Sequence, residues 1–267
     1  METRLSAIGN HITVLNTVDS SNNYAMAQVH AGMAEHGQVY FALEQTAGKG
    51  RHGKEWKGAA AENILMSVVL ETRKLPISQQ FRLSAAIAVA VRDFFATYAG
   101  RDTCIKWPND LYWCDRKAGG ILIENIIGVS SKPTDDHETA MPPKTGAVWK
   151  WAIVGIGINI NQLQFPENLP NPISLQHITN QAYEMIPLVS ELCRKLEEQW
   201  QFLIHGKWRQ IYEAYNLHLY KLAQPVRLRK KNVIIPCTVR GVSEKGRLLI
   251  EEDPLRQFNF GEVSWVI

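Results

Sequence analysis

Apolar residues along this chain follow two different periods, and each change of period marks an element. The apolar runs at 12–15, 39–44 and 64–70 have strand length and predict three β-strands. Between the first two, Asp19, Ser20, Ser21 and Asn22 are capping residues ahead of an Ala- and Met-rich stretch. They predict a helix over 23–35, closed by Gly37. Phe81, Ala85, Ala88, Val91, Phe95 and Tyr98 recur at helical spacing and predict a long helix over 78–98 that Gly100 stops. Short strands at 104–107 and 111–114 flank a turn made by Pro108, Asn109 and Asp110. Near-continuous apolar runs at 121–127 and 149–160 predict a hairpin, and the polar stretch 128–147 between them is an overlong loop.

Two helices follow, over 187–204 and 207–220, the first with Pro187 near its start. After Pro225 the pattern changes to short strands at 226–228, 234–239, 247–251, 258–260 and 263–267. That tail predicts a small β-barrel of the SH3-like sort. The chain is therefore expected to divide into an α+β unit over 1–222 and a barrel over 223–267.

Bulk properties narrow the function classes. A length of 267 residues, 45% hydrophobic and 21% charged, is ordinary for a globular enzyme with a sizeable core. A net charge of +3 is compatible with an anionic substrate but lacks the basic bias of a nucleic-acid binder. Cys104, Cys114, Cys193 and Cys237 form no C-x-x-C pair and have no His at metal spacing, so neither a zinc site nor a disulfide framework is expected. The sequence has no leader-like start and no apolar run of bilayer length, so the expected location is the cytoplasm, away from membranes.

The densest chemistry lies between Gln45 and Trp56. There Gly48, Gly50 and Gly53 alternate with Lys49, Arg51, His52 and Lys54. Glycines free the backbone to bend and bring its amides close to an anion, while the cations supply charge. The spacing is formally G-x-G-x-x-G, but a dinucleotide fingerprint opens a helix after its strand. Here a second apolar strand run follows instead, so the element is strand, loop, strand.

Four further segments carry polar groups in suggestive settings, and each alone also has a plain structural reading. Ser20, Ser21 and Asn22 open a helix, where they could cap it or bind a polar head group. Lys106, Asn109 and Asp110 surround a tight turn. Lys117 stands beside Gly119 and Gly120 before a buried strand, where a charge needs an anionic partner. Gly155, Gly157, Asn159 and Asn161 lie in a strand whose glycines admit close approach by another group.

The order of these segments is specific where each alone is not. Asp19 to Asn22, Gly48 to Trp56, Lys106 to Leu111, Arg116 to Glu124 and Gly155 to Asn161 together closely resemble the biotin–protein ligases, monofunctional type. The resemblance spans roughly residues 14–161 through motifs and extends more loosely to the C-terminal strands. It implies a central mixed sheet backed by helices, of the class II synthetase-like kind, followed by the small barrel. It also implies a two-step reaction. Biotin's carboxylate attacks the α-phosphate of Mg-ATP and releases pyrophosphate; a lysine amine of a biotin carboxyl carrier domain then attacks biotinyl-5′-adenylate and expels AMP.

By the same resemblance, Lys117 and Arg51 carry the catalytic charge. Ser20, Ser21, Asn22, Gln45, Gly48, Lys49, Gly50, Arg51, Lys117, Gly119 and Gly157 hold biotin. Lys49, Arg51, His52, Lys54, Trp56, Lys106, Asn109, Asp110, Lys117 and Asn159 line the nucleotide site, and Mg2+ arrives with ATP rather than in a protein-built site. Two anions must meet, so fixed positive charge has to cancel their repulsion. This reading requires Lys117, Arg51 and Ser21 to share one cavity. The loop over 47–55 is expected to order over an adenylate that water would otherwise hydrolyse.

This chain departs from the family in carrying lysine at 49 and 54 where many relatives have arginine, which weakens bidentate phosphate contact. The polar insertion 128–147 is longer than expected. Only about a dozen residues precede the first strand, too few for the DNA-binding domain of the repressor type. A homodimer is left open. The rival enzyme is a lipoate or octanoate ligase or transferase, whose Arg-rich triple-glycine motif has no counterpart here. The rival from another class is an SH3-tailed binding module.

Overall fold

The computed structural model describes residues 6–130, 146–251 and 256–266. Its main sheet has seven strands: β1 (Ile12–Val18), β2 (Val39–Gln45), β3 (Asn63–Glu71), β4 (Thr103–Lys106), β5 (Asp110–Trp113), β6 (Arg116–Ser130) and β7 (Gly146–Asn159). They lie in the order β1-β2-β3-β7-β6-β5-β4. β1 pairs parallel to β2, and the other neighbours pair antiparallel, so the sheet is mixed as expected.

Helices cover both faces at the centre, which is why β3 is apolar at nearly every position and is buried from Asn63 to Leu70. On one face, α2 (Gln80–Ala99) packs against α4 (Met185–Ile204) and α5 (Trp208–Leu217). Leu83, Phe94 and Phe95 there join Met66, Val68, Val154 and Ile156 in the main core. Burying each such side chain fully contributes about 1.5–3 kcal/mol. On the other face α1 (Ser21–His30) buries Ala25 against Tyr40, Val69 and Ile153. It covers only part of the sheet, and the uncovered part forms the site described below.

The second sheet comprises β8 (Pro225–Lys230), β9 (Val233–Val242), β10 (Leu248–Glu251), β11 (Arg256–Phe258) and β12 (Ser264–Val266). The order is β11-β10-β9-β8-β12, all antiparallel, around Leu228, Val239, Leu248, Ile250 and Phe258. It is clasped to the main unit through Trp107. The Trp107 indole donates to the Gly246 carbonyl at 3.0 Å, and Trp265 donates to the Trp107 carbonyl at 3.2 Å.

Several boundaries differ from the sequence reading. The helix expected over 23–35 starts at Ser21 and ends at His30. Gly32, at φ 69°, turns the chain while Gly32 N–H bonds the Val29 carbonyl and Met33 N–H the Gln28 carbonyl, a left-handed stop that comes before Gly37. The helix expected over 207–220 stops at Leu217 because Ile105 bonds His218 and Tyr220 through its backbone, each at 2.8 Å. β6 begins at Arg116, so Lys117 lies inside the strand rather than ahead of it. A short helix α3 (Leu175–Thr179), capped by the Ser174 hydroxyl accepting from His177 N–H, had no counterpart in the sequence reading. Most of the polar insertion, 131–145, lies outside the described residues.

Candidate active site

Residues paired across a sheet point to the same face, so the register builds the floor of the site row by row. Gly120, Gly157 and Leu65 form one row; Leu122, Gly155 and Ser67 form the next. Glu124, Ile153 and Val69 form the third, and there α1 takes over as cover. Three glycines in two adjacent rows leave a trough in the sheet, because no side chain rises from 120, 155 or 157.

One end of the trough is a polar network on the first turn of α1. Ser67 donates its hydroxyl hydrogen towards Asn22 Oδ1 at 2.6 Å and lies 2.8 Å from Ser21 Oγ. Asn22 Nδ2 donates to Glu124 Oε2 at 2.7 Å, and Ser21 N–H donates to Gln45 Oε1 at 2.7 Å. Ser20 is the N-cap, buried, with extended backbone. A Cβ added at Gly155 would stand 2.4 Å from Asn22 Oδ1, so this glycine is what lets Asn22 approach the sheet.

The other end is cationic. Lys117 Nζ lies 2.8 Å from Asp110 Oδ1, and a Cβ at Gly120 would be 3.6 Å from that same Nζ. The Trp56 indole rests on Gly157, where a Cβ would come within 2.6 Å of the ring. Its Nε1–H is buried without a hydrogen-bond partner. A buried donor in this position fits a ligand acceptor in the trough.

The glycine loop arches between these ends. Gly48 and Trp56 close its base, with Trp56 N–H donating to the Gly48 carbonyl at 2.8 Å. Gly50 N–H bonds the Lys54 carbonyl at 2.6 Å, and Lys49 bridges to Glu55 through its backbone. Lys49 Nζ lies 3.3 Å from Glu124 Oε1, so Glu124 touches the loop as well as Asn22. Lys54 is exposed. The side chain of His52 lies outside the described residues. Arg51 stacks its guanidinium on Phe260 of the second sheet, 3.5 Å from the ring centroid. Burial lowers the Arg51 pKa, and the nearby Asp110 carboxylate opposes that.

Three other expected site residues are engaged in support of the floor. Asn109 donates its amide to the Ile121 carbonyl, tying the Lys106–Asp110 turn to β6. Asn159 donates to the Ile173 carbonyl at 3.0 Å and towards the Lys117 carbonyl at 3.4 Å, holding the strand that carries Lys117. Gly119 lies where a Cβ would meet the Gly157 carbonyl at 2.7 Å. Lys106 is buried, donates to the Tyr112 hydroxyl at 2.9 Å and sits among the rings of Tyr112, Tyr220 and Trp265. Burial there pulls its pKa down to about 8 against the attraction of Asp110. A cavity of about 680 Å³, lined by Asp115, Lys221, Arg227 and Trp265, lies apart from the trough and contains none of the expected site residues.

Lys117 and Ser21 stand at the two ends of the row of glycines, while Arg51 rests on Phe260 with the Asp110 carboxylate in electrostatic reach. Ser67 and Glu124 were missing from the sequence-derived site. Part of the signal was present: Ser67 is a lone polar residue in the apolar run 64–70, and Glu124 with Asn125 interrupts the run 121–127, where polar groups need partners.

The profile of the biotin/lipoate A/B protein ligase family matches residues 14–133. A biotin–[acetyl-CoA-carboxylase] ligase of Mycobacterium tuberculosis is 30% identical over 197 residues, covering 71% of this chain and 65% of that protein. The bifunctional ligase/repressor BirA of Escherichia coli is 26% identical over 266 residues, 96% of this chain and 74% of that one. Among solved structures, the biotin protein ligase of Aquifex aeolicus in complex with biotin and ATP superposes with a TM-score of 0.77 at 22% identity, covering 96% of this chain and 99% of its own, so the fold is shared. The motif order, the trough and these matches agree: the segment 14–133 matches the biotin/lipoate A/B protein ligase family, and the chain as a whole shares the biotin protein ligase fold.

Proposed function

We propose that this protein is a biotin–protein ligase that makes biotinyl-5′-adenylate from biotin and ATP and passes the biotinyl group to a lysine of a carrier domain. The observation that supports this most is the pairing of Lys117 with Asp110 at the mouth of the glycine-floored trough, beneath the unpartnered Trp56 N–H. A fused, hydrogen-bonding ring system suits the polar end at Ser21, Asn22 and Ser67, and its acyl chain suits the bare glycine floor. The carboxylate then arrives at the cationic end.

In the first step a biotin carboxylate oxygen attacks the α-phosphorus, the bond to the bridging oxygen breaks, and pyrophosphate leaves with that electron pair. Lys117 donates hydrogen bonds to the carboxylate and an α-phosphate oxygen, offsetting the repulsion between two anions. Arg51, Lys49 and Lys54 face the phosphates from the loop. Mg2+ supplies further charge neutralisation when bound to the triphosphate. Asp110, 2.8 Å from Lys117 Nζ, is the carboxylate that would meet the Mg2+ carried by ATP. In the second step the acceptor amine attacks the acyl carbon, AMP leaves, and the amine sheds a proton. Asp110, beside the reacting centre, orients that amine. Trp56 and the loop exclude water from the adenylate.

The acceptor is a biotin carboxyl carrier domain. The catalytic unit is assigned to 1–222 and the barrel to 223–267. A second copy would pair on β1, an edge of the sheet with Val14 exposed. Among the described residues no helix is long and apolar enough to cross a membrane.

The test is pyrophosphate release by the purified chain with Mg-ATP and either biotin or lipoate. Release that depends on biotin supports the proposal. Release with lipoate alone would reassign the substrate, and release with neither would leave a binding module.

A further inference from the structure

The contact between Arg51 and the second sheet has a role that the chemistry of the trough does not by itself explain. Arg51 stands on a loop whose neighbours Gly50 and Gly53 give it little orientation of its own, and Gly53 adopts φ 72°. Its guanidinium lies 3.5 Å from the centroid of Phe260, with Asp110 in electrostatic reach on the trough side.

Phe260 is held firmly from behind. It sits in the turn between β11 and β12, which Asn259 and Glu262 close: Asn259 N–H and Nδ2 donate to the Glu262 carboxylate at 3.2 and 3.0 Å, and Glu262 N–H returns to the Asn259 carbonyl at 3.2 Å. The ring meets Trp107 edge-on at 5.9 Å. Trp107 is in turn bonded to Gly246 and Trp265 of the second sheet, and it stands three residues before Asp110. At 37% exposure most of the ring is covered, and the face it offers the guanidinium adds a cation–π contact to that packing.

We propose that Phe260 is the positioning residue for Arg51, the means by which the C-terminal sheet fixes the loop's guanidinium at the phosphate end of the trough. This rests on the ligase reading for its effect on ATP, but the contact itself can be tested without it. Through that ring the barrel then contributes to adenylate formation.

Two readouts separate the contact from the chemistry. The first is trypsin cleavage after Arg51 in the full-length chain, compared among wild type, Phe260→Leu and Phe260→Trp. Cleavage should accelerate in the leucine variant and stay near wild type in the tryptophan variant, which keeps a π face. Equal cleavage in all three overturns the proposal whatever the enzyme does. The second is steady-state biotin-dependent pyrophosphate release. Phe260→Leu should raise KM for ATP roughly fivefold, the scale of one cation–π contact, with KM for biotin unchanged and Phe260→Trp restoring wild-type behaviour. In an Arg51→Ala background the leucine substitution should have no further effect. A loss that persists in that background, or that tryptophan does not rescue, means Phe260 acts only on the fold and overturns the proposal. A wild type that releases no pyrophosphate while the cleavage pattern holds would sink the ligase reading and leave the contact standing.

Discussion

Lys117 Nζ and Asp110 Oδ1 meet at 2.8 Å across neighbouring strands β5 and β6, beside the irregularity between Leu111 and Tyr112 that shifts the register. Both side chains are about a third exposed. A pair this wet contributes roughly 0–1 kcal/mol to stability, too little to explain why a lysine is held in a strand mouth by Asn159 behind it. In the proposed ligase its worth lies in position: Asp110 holds the ammonium where a carboxylate and a phosphate would have to meet.

Glu124 joins the two ends of the account, since Asn22 and Lys49 both bond it. Glu124→Ala leaves the Asn22 amide unpaired in a buried setting, a cost of about 1–3 kcal/mol. We expect KM for biotin to rise tenfold or more in this variant. Glu124→Gln keeps an acceptor for Asn22 and loses only the charge for Lys49, so its KM for biotin should stay within a few-fold of wild type. Equal effects of both variants would show that the amide contact is not what matters.

The loop closes on a glycine. Gly157→Ala drives a methyl into the Trp56 ring, which must move. Binding biotinyl-adenylate should protect the 47–55 segment from protease in the wild type and do so only weakly in the variant. Protection that is unchanged by the substitution would argue that Trp56 is not the closing element.

Acid stability should depend on His36, on the far side of the sheet. Burial lowers its pKa from 6.5 to about 4, with Glu197 opposing, while Nδ1 accepts from Glu71 N–H at 2.9 Å. The folded protein holds His36 neutral where the unfolded chain would bind a proton. The resulting stability is fully present above pH 6.5 and is lost as pH falls towards about 4, up to roughly 3 kcal/mol. Urea midpoints of His36→Gln should be flatter than wild type between those pH values, and parallel curves would contradict the assignment.

How much of this was legible in the sequence depended on whether the signal was local. The strands flanking the glycine loop, the long helix α2 and the β6–β7 hairpin follow from periodicity carried by their own residues. The end of α1 did not, because Gly32 acts through a left-handed turn that looks no different in sequence from Gly37. α3 has only five residues, too few to show a period. Of the site, the motif order gave Lys117, Asn22 and Trp56, but not which neighbours they use. Ser67 and Glu124 reach the trough through register, and Phe260 reaches Arg51 across more than two hundred residues. Sheet register and domain docking are long-range outcomes that no short window contains.

The central claim is that one ammonium at the mouth of the trough lets two acids react. Pyrophosphate release and biotin transfer to a carrier domain, measured in wild type and Lys117→Met at matched folding, test it most directly. We predict that adenylate formation falls roughly 100-fold or more, the loss of a transition-state charge partner, with the melting temperature little changed. A folded Lys117→Met protein that activates biotin at the wild-type rate would contradict the account.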